Sequence, residues 1–163
     1  MQSEASNLRE ILHEIPIDAA PEIVFALLTR AELMTTWLAP DVAADPRPGG
    51  IFRLADFNGL WVEGRFLSIT WNRIVAFTWG GIDGLRIGQT SVTVTLRPEA
   101  NGTMLRLHHA GLPDPVYENH DLGWTISALP RLKAVAEGRG KLGTHLGDVG
   151  LAREQGATLR FHP

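Results

Sequence analysis

The chain has 163 residues, of which 44% are hydrophobic and 20% charged, with a formal net charge of −3 and no cysteine. The acidic balance, without a Lys/Arg cluster, excludes nucleic acid as a partner class, because phosphate neutralisation needs a basic surface. The missing cysteines exclude disulfides, thiolate metal sites and a cysteine nucleophile.

In chain order, "ILHEIPI" within residues 8–17 alternates as a first strand does. Asp18 is the expected N-cap of a helix that carries Pro21 and Glu22 in its first turn. Ile23, Val24, Leu27 and Leu28 recur at helical spacing to about Arg30. "AELMTTWLAP" reads as a second short helix, ended by Pro40. The period then changes to that of strands in "GGIFRLADF", "GLWVEGRFLSI", "RIVAFTW", "TSVTVTLRP" and "TMLRLHHAG". Asn58-Gly59, Trp71-Asn72, the loop "GGIDGLRIG" and "EANG" separate them, and the Asn-Gly pairs are hairpin signals. One long helix is predicted from Tyr117 to Glu137, kinked by Pro130. It has two stripes. Leu122, Ile126, Leu129 and Lys133 form one, which reads as core, while His120, Trp124, Ala128 and Arg131 form the other. Residues 139–163 are a glycine-rich C-terminal extension of a domain spanning residues 1–138, with Leu142, Leu146 and Val149 spaced as in a short helical turn. The N-terminus lacks a signal-peptide pattern and no apolar run reaches a membrane span, so a cytoplasmic protein without membrane partners is expected.

Strand, two short helices, five or six antiparallel strands and a long helix make an α+β fold with the helix packed on one sheet face. "IPIDAAPEIVFALLT", Trp37, "PRPGGIFR", Gly64 in "VEGRFLSI", "IVAFTW", "GTMLRLHHAGL" and "HDLGW" occur in this order between about residues 11 and 137. Together they resemble the START-like helix-grip superfamily (SRPBCC), in its branch of homologues of the activator of heat-shock-protein ATPase. The resemblance implies a curved antiparallel sheet wrapped around the C-terminal helix, with a cavity for a small hydrophobic or amphipathic molecule between them. It also places the Trp124 stripe on the cavity side. Ala128 stands where the branch often has a larger apolar residue.

The expected ligand-binding residues are Trp37, Phe52, Trp61, Phe77, Trp79, His109, His120 and Trp124, since large aromatics on separate elements are suited to lining an apolar chamber. No cofactor and no metal are expected. His108 and His109 are adjacent on a strand and point to opposite faces, and zinc requires three or four converging ligands. No catalytic residue is assigned. An enzyme of cyclase, hydrolase or dehydratase type, as some helix-grip relatives are, would draw its acid or base from His109, His120 or Glu63. The branch name brings a further alternative, a partner that modulates a chaperone ATPase. An apolar patch on the convex sheet would mark such a partner, or a homodimer. "GGIDGLRIG" lacks both phosphate-loop fingerprints and reads as a flexible hairpin loop, a lid over the cavity mouth.

Overall fold

A computed structural model describes residues 8–56 and 58–139; the extension, Leu142, Leu146 and Val149 included, lies outside the described residues apart from Arg139. Strand β1 (Leu8–Ile17) leads into helices α1 (Pro21–Thr29) and α2 (Ala31–Met34). The strands β2 (Asp41–Ala44), β3 (Ile51–Ala55), β4 (Trp61–Thr70), β5 (Ile74–Trp79), β6 (Thr90–Glu99) and β7 (Gly102–Pro113) follow. They form one antiparallel sheet in the order β1-β7-β6-β5-β4-β3-β2, so the first strand closes the meander beside the last. β2 is the sixth strand of the block, unlocated in the sequence because its four residues, "DVAA", show no two-residue period.

The curl of the sheet has a local cause. β4 pairs with β3 through Trp61–Arg65 and with β5 through Phe66–Thr70, and a bulge falls at Phe66/Ser68. Gly64 stands at this corner, where a Cβ would lie 1.9 Å from the Thr78 carbonyl oxygen. Only glycine lets the two backbones approach so closely.

Against the concave face lies the C-terminal helical stretch: α3 (Asp114–Leu122), a π-helical segment (Gly123–Ala128) and α4 (Leu129–Ala136). It begins three residues before the expected Tyr117, with Pro115 in its first turn. The strain expected at Pro130 is absorbed upstream. The Leu129 N–H reaches back five residues to the Trp124 carbonyl, the wide turn that defines a π segment. Proline lacks an N–H and its ring crowds the carbonyl four residues back, so a widened turn before it relieves both.

This wide turn completes one revolution in five residues and so sets Leu129 on the same face as Trp124. Leu122 is 45% exposed and Ile126 68% exposed, whereas His120 and Trp124 are buried. The core stripe expected from hydrophobicity is therefore corrected: only Leu129, of its apolar members, is buried. At the other end, Ala20 rather than Asp18 occupies the N-cap position of α1, and no side chain caps it. The Asp18 backbone N–H is instead held by the Glu137 carboxylate at 2.8 Å.

Glu137 also accepts from Lys133 at 2.7 Å and from Arg139, and Lys133 donates to the Pro16 carbonyl. The cluster ties the end of α4 to the turn after β1. These donors, the Asp18 N–H first, hold the Glu137 carboxyl at about 2. Its stabilising contribution is complete above the ordinary carboxylate range and is lost as pH falls from 4.5 towards 2. Glu137→Gln is expected to cost about 1 kcal/mol at neutral pH, less than a fully buried charged pair because Lys133 and Arg139 reach solvent. Urea unfolding at pH 7 and pH 3 checks this, since the difference between variant and parent should shrink at the lower pH.

Candidate functional site

Inward-facing residues alternate along each strand, and their register decides which of the expected site residues meet. On β7, Leu105, Leu107 and His109 are all buried, while His108 turns outward and pairs with Glu10. On β4, Val62, Gly64 and Phe66 face inward. Trp61 falls on the outer face, 40% exposed, with its ring edge against Gly81. The expectation that Trp61 lines the cavity is thus corrected: pairing of Ala55 with Trp61 and Leu54 with Val62 turns the indole away from the helix. Glu63 shares that outer face, which removes it from any cavity chemistry.

Between sheet and helix lies a small space of about 10 Å³, room on the order of one water molecule. Trp37, Phe52, Phe77 and Trp124 line it together with Leu28, Met34 and other aliphatic side chains, and among the described residues no polar side chain does. A drug-sized pocket needs roughly 300–1,000 Å³. In this state the side chains fill the chamber. Phe52 stacks on Phe77 with ring centroids 4.0 Å apart, and Trp79 lies 5.4 Å from Trp124, so the aromatics form one continuous column.

The remaining expected residues, Trp79, His109 and His120, sit beside the chamber in a buried polar network. The Trp124 Nε1–H donates to His109 Nδ1 at 3.1 Å, and the Trp79 Nε1–H donates to His120 Nε2 at 3.1 Å. Thr90 Oγ1 lies 2.8 Å from both His109 Nε2 and the Trp79 carbonyl oxygen. His120 Nδ1 lies 3.0 Å from the Val116 carbonyl. An indole only donates and a carbonyl only accepts, so every proton is assigned. The Thr90 hydroxyl donates to the Trp79 carbonyl, His109 Nε2–H donates to Thr90, and His120 Nδ1–H donates to Val116. Both histidines are neutral, each in one tautomer.

Burial pushes the His109 pKa well below its ordinary value, helped by the charges of His120 and His108. Burial likewise lowers His120, partly offset by the Val116 carbonyl. The geometry gives the same answer, since protonating either ring would turn an N–H against an indole N–H. Among the described residues, each histidine's lone pair is thus engaged by an indole N–H and Glu63 lies outside the chamber.

Three members of the network were not read from the sequence. Thr90 stands in the inward series Thr90, Val92, Val94, Leu96, where one hydroxyl among aliphatic residues was the available signal. Asp83 and Asn119 have no comparable signal. Asp83 lies in the glycine-rich loop at a φ of 58°, with a side chain 3% exposed. Its Oδ2 accepts from Asn119 at 3.2 Å and lies 3.6 Å from His120 Nδ1. Burial raises the Asp83 carboxyl to about 6, against the lowering effect of Asn119. The loop read as a lid packs Ile82 and Leu85 into the domain. Among the described residues no group of three or more His, Asp or Glu is placed to hold a metal ion, and no helix is long and apolar enough to cross a membrane.

Thr90→Val is expected to destabilise the domain by about 2 kcal/mol despite its near-identical shape. It strips the buried His109 Nε2–H of its acceptor and the Trp79 carbonyl of this donor. Thermal melts of Thr90→Val and Thr90→Ser separate lost hydrogen bonding from lost packing, because serine retains the hydroxyl.

Residues 18–137 match the family model described as Activator of Hsp90 ATPase homolog 1-like protein. A crystal structure of a Mesorhizobium loti protein superposes with a TM-score of 0.70 at 26% identity, covering 78% of this chain and 96% of that one. The Aha1 dimer of Colwellia psychrerythraea gives 0.69 at 23% identity, over 79% and 96% of the two chains. An HSP90 activator of Plasmodium falciparum gives 0.60 at 24%, over 78% and 94%. The last two likenesses concern the fold. No curated protein matches the chain. With the curved seven-stranded sheet, the gripped helix and a family match over most of its length, the chain belongs to the Activator of Hsp90 ATPase homolog 1-like family of the START-like helix-grip fold.

Proposed function

We propose that the domain receives a small hydrophobic or amphipathic molecule between the sheet and its C-terminal helix. The observation that carries this reading is the wholly apolar lining of the space beneath Trp124, roofed by a π-helical segment instead of a regular helix. A π turn is less tightly bonded than an α turn and often stands at functional sites. It supplies the give that a chamber of about 10 Å³ needs before it admits a ligand. An apolar chamber discriminates weakly, one methylene being worth ~1–3 kcal/mol, so binding is broad and micromolar. A reducing, cytoplasmic setting belongs to the same proposal and suits a chain with no cysteine. Titrating fatty acids and flat aromatics against tryptophan fluorescence tests it. Saturable changes are expected, and silence across the panel overturns the reading.

A partner-binding reading has its own observation. Leu122 and Ile126 lie four residues apart and exposed on the outer side of the helix, and the fold relatives include a dimer and an HSP90 activator. Light scattering of the parent and of Leu122→Glu/Ile126→Glu decides whether that face joins two copies: a dimer that the double variant dissolves supports it, and a monomeric parent removes it.

A further inference from the structure

Resting on the small-molecule reading above, we infer that Trp124 is a displaceable plug that stands in for the ligand. The molecule that replaces it is a flat aromatic of about two fused rings bearing one neutral N–H or O–H donor, which His109 Nδ1 receives.

The indole of Trp124 has the attributes expected of a guest. It is flat, 1% exposed, tilted by 46° against the Trp79 ring within the aromatic cluster, and held by a polar contact of 3.1 Å to His109. It forms a wall of the small apolar space, and His109 lies on the same inward face of β7 as Leu105 and Leu107, which line that space. Withdrawing the ring therefore joins the space to His109 Nδ1. An apolar cavity of about 150 Å³ is already enough to bind benzene.

The polarity of the contact is set by residues distant from Trp124 in sequence. The Thr90 hydroxyl is committed to the Trp79 carbonyl, so His109 Nε2 must carry the proton that Thr90 accepts. His109 Nδ1 is then a bare lone pair in a dry setting. It rewards a neutral donor, and it rejects a carboxylate, which would set acceptor against acceptor. A fatty acid anion is thus the wrong chemistry here, and a phenol or an indole-like N–H is the right one.

Trp124 also has a route out. It belongs to the π-helical segment, and its carbonyl accepts the five-residue bond from Leu129. Shifting a π turn by one residue re-registers the helix locally, and one residue of an α-helix is a rotation of about 100°. That is sufficient to carry a side chain off the inward face while the rest of the helix stays seated.

The experiment uses the full chain labelled with 5-fluorotryptophan and titrated with naphthalene, 2-naphthol and 2-naphthoate, with the Trp124 resonance assigned from Trp124→Phe. The expected order is naphthol about tenfold tighter than naphthalene, the scale set by a buried acceptor left unpaired, with naphthoate weakest. The Trp124 resonance should move to a solvent-exposed position as naphthol saturates. In Trp124→Ala, indole should bind about tenfold tighter than its isostere benzofuran, which has no N–H, and His109→Leu in that background should erase the preference. Equal binding of naphthalene and naphthol, tightest binding of naphthoate, or an unmoved Trp124 signal overturns the plug and leaves the cavity reading standing. No binding by any of the three overturns both. Should Trp124→Ala fail to fold, the parent-chain series decides alone.

Discussion

Replacing Trp124 by alanine is expected to lower the unfolding free energy by ~3–5 kcal/mol, as removal of a fully buried large aromatic does. The indole is 1% exposed, packs 5.4 Å from the Trp79 ring, and donates to His109. Its loss thus combines a cavity with a buried imidazole lone pair that no longer has this donor. A small domain has only about 5–15 kcal/mol in hand, so the variant should be folded but markedly weakened. Urea titration followed by circular dichroism is the measurement. Trp124→Phe, which retains most of the apolar volume and loses the N–H, should lie between the variant and the parent. A loss below about 1 kcal/mol for the alanine variant would place the ring outside the core altogether.

Acid should unfold this domain earlier than its carboxylates alone would require. His109 and His120 are both 0% exposed and both hold folded-state pKa values below 6.5 because of burial. The unfolded chain takes up these protons first. Stability is therefore complete above about pH 6.5 and falls below it, by up to ~1.4 kcal/mol per pH unit for each histidine until the native ring itself titrates. Asp83 works in the opposite direction. Its carboxyl, raised from 3.8 to about 6, favours the protonated native state, so it returns stability as pH falls from about 6 to 3.8. Across that window Asp83 offsets part of the loss caused by the two histidines. Asp83→Asn removes the offset and should steepen the fall of stability with pH between about 4 and 6. Unfolding free energies at half-unit steps from pH 4 to pH 8 test both statements. A parent curve flat below pH 6.5, or an unchanged slope in Asp83→Asn, would show that these groups are not buried as described.

The elements that short-range rules govern were legible in the chain. The strand of "ILHEIPI", Pro21 and Glu22 opening α1, the hairpin pairs at Asn58-Gly59 and Asn101-Gly102, and the split of His108 from His109 follow from two-residue and 3.6-residue periods and turn chemistry. The ordered motifs from "IPIDAAPEIVFALLT" to "HDLGW" carried the fold and the family. Faces were harder. Trp61 and Glu63 share a strand with Val62 and Phe66, and only the pairing with Leu54 decides which pair looks at the helix. Leu122 and Ile126 look like core by hydrophobicity alone. They are exposed because they lie about 200° around the helix from the buried His120 and Trp124, while the π turn ahead of Pro130 brings Leu129 back onto the inner face.

What the chain by itself determined, then, was the order of the elements, their turns and the inventory of aromatic and imidazole side chains, because each depends on neighbours within a few residues. What the tertiary structure decided was the contact set: how far the aromatics fill the chamber, which ring nitrogen of each histidine carries its proton, and the partnership of Thr90, Asp83 and Asn119 with them. Trp79 meets His120 across 41 positions of sequence, and Asp83 meets Asn119 across 36. No local period encodes such pairs, since they arise only when the curled sheet closes on the helix and every buried donor must find an acceptor.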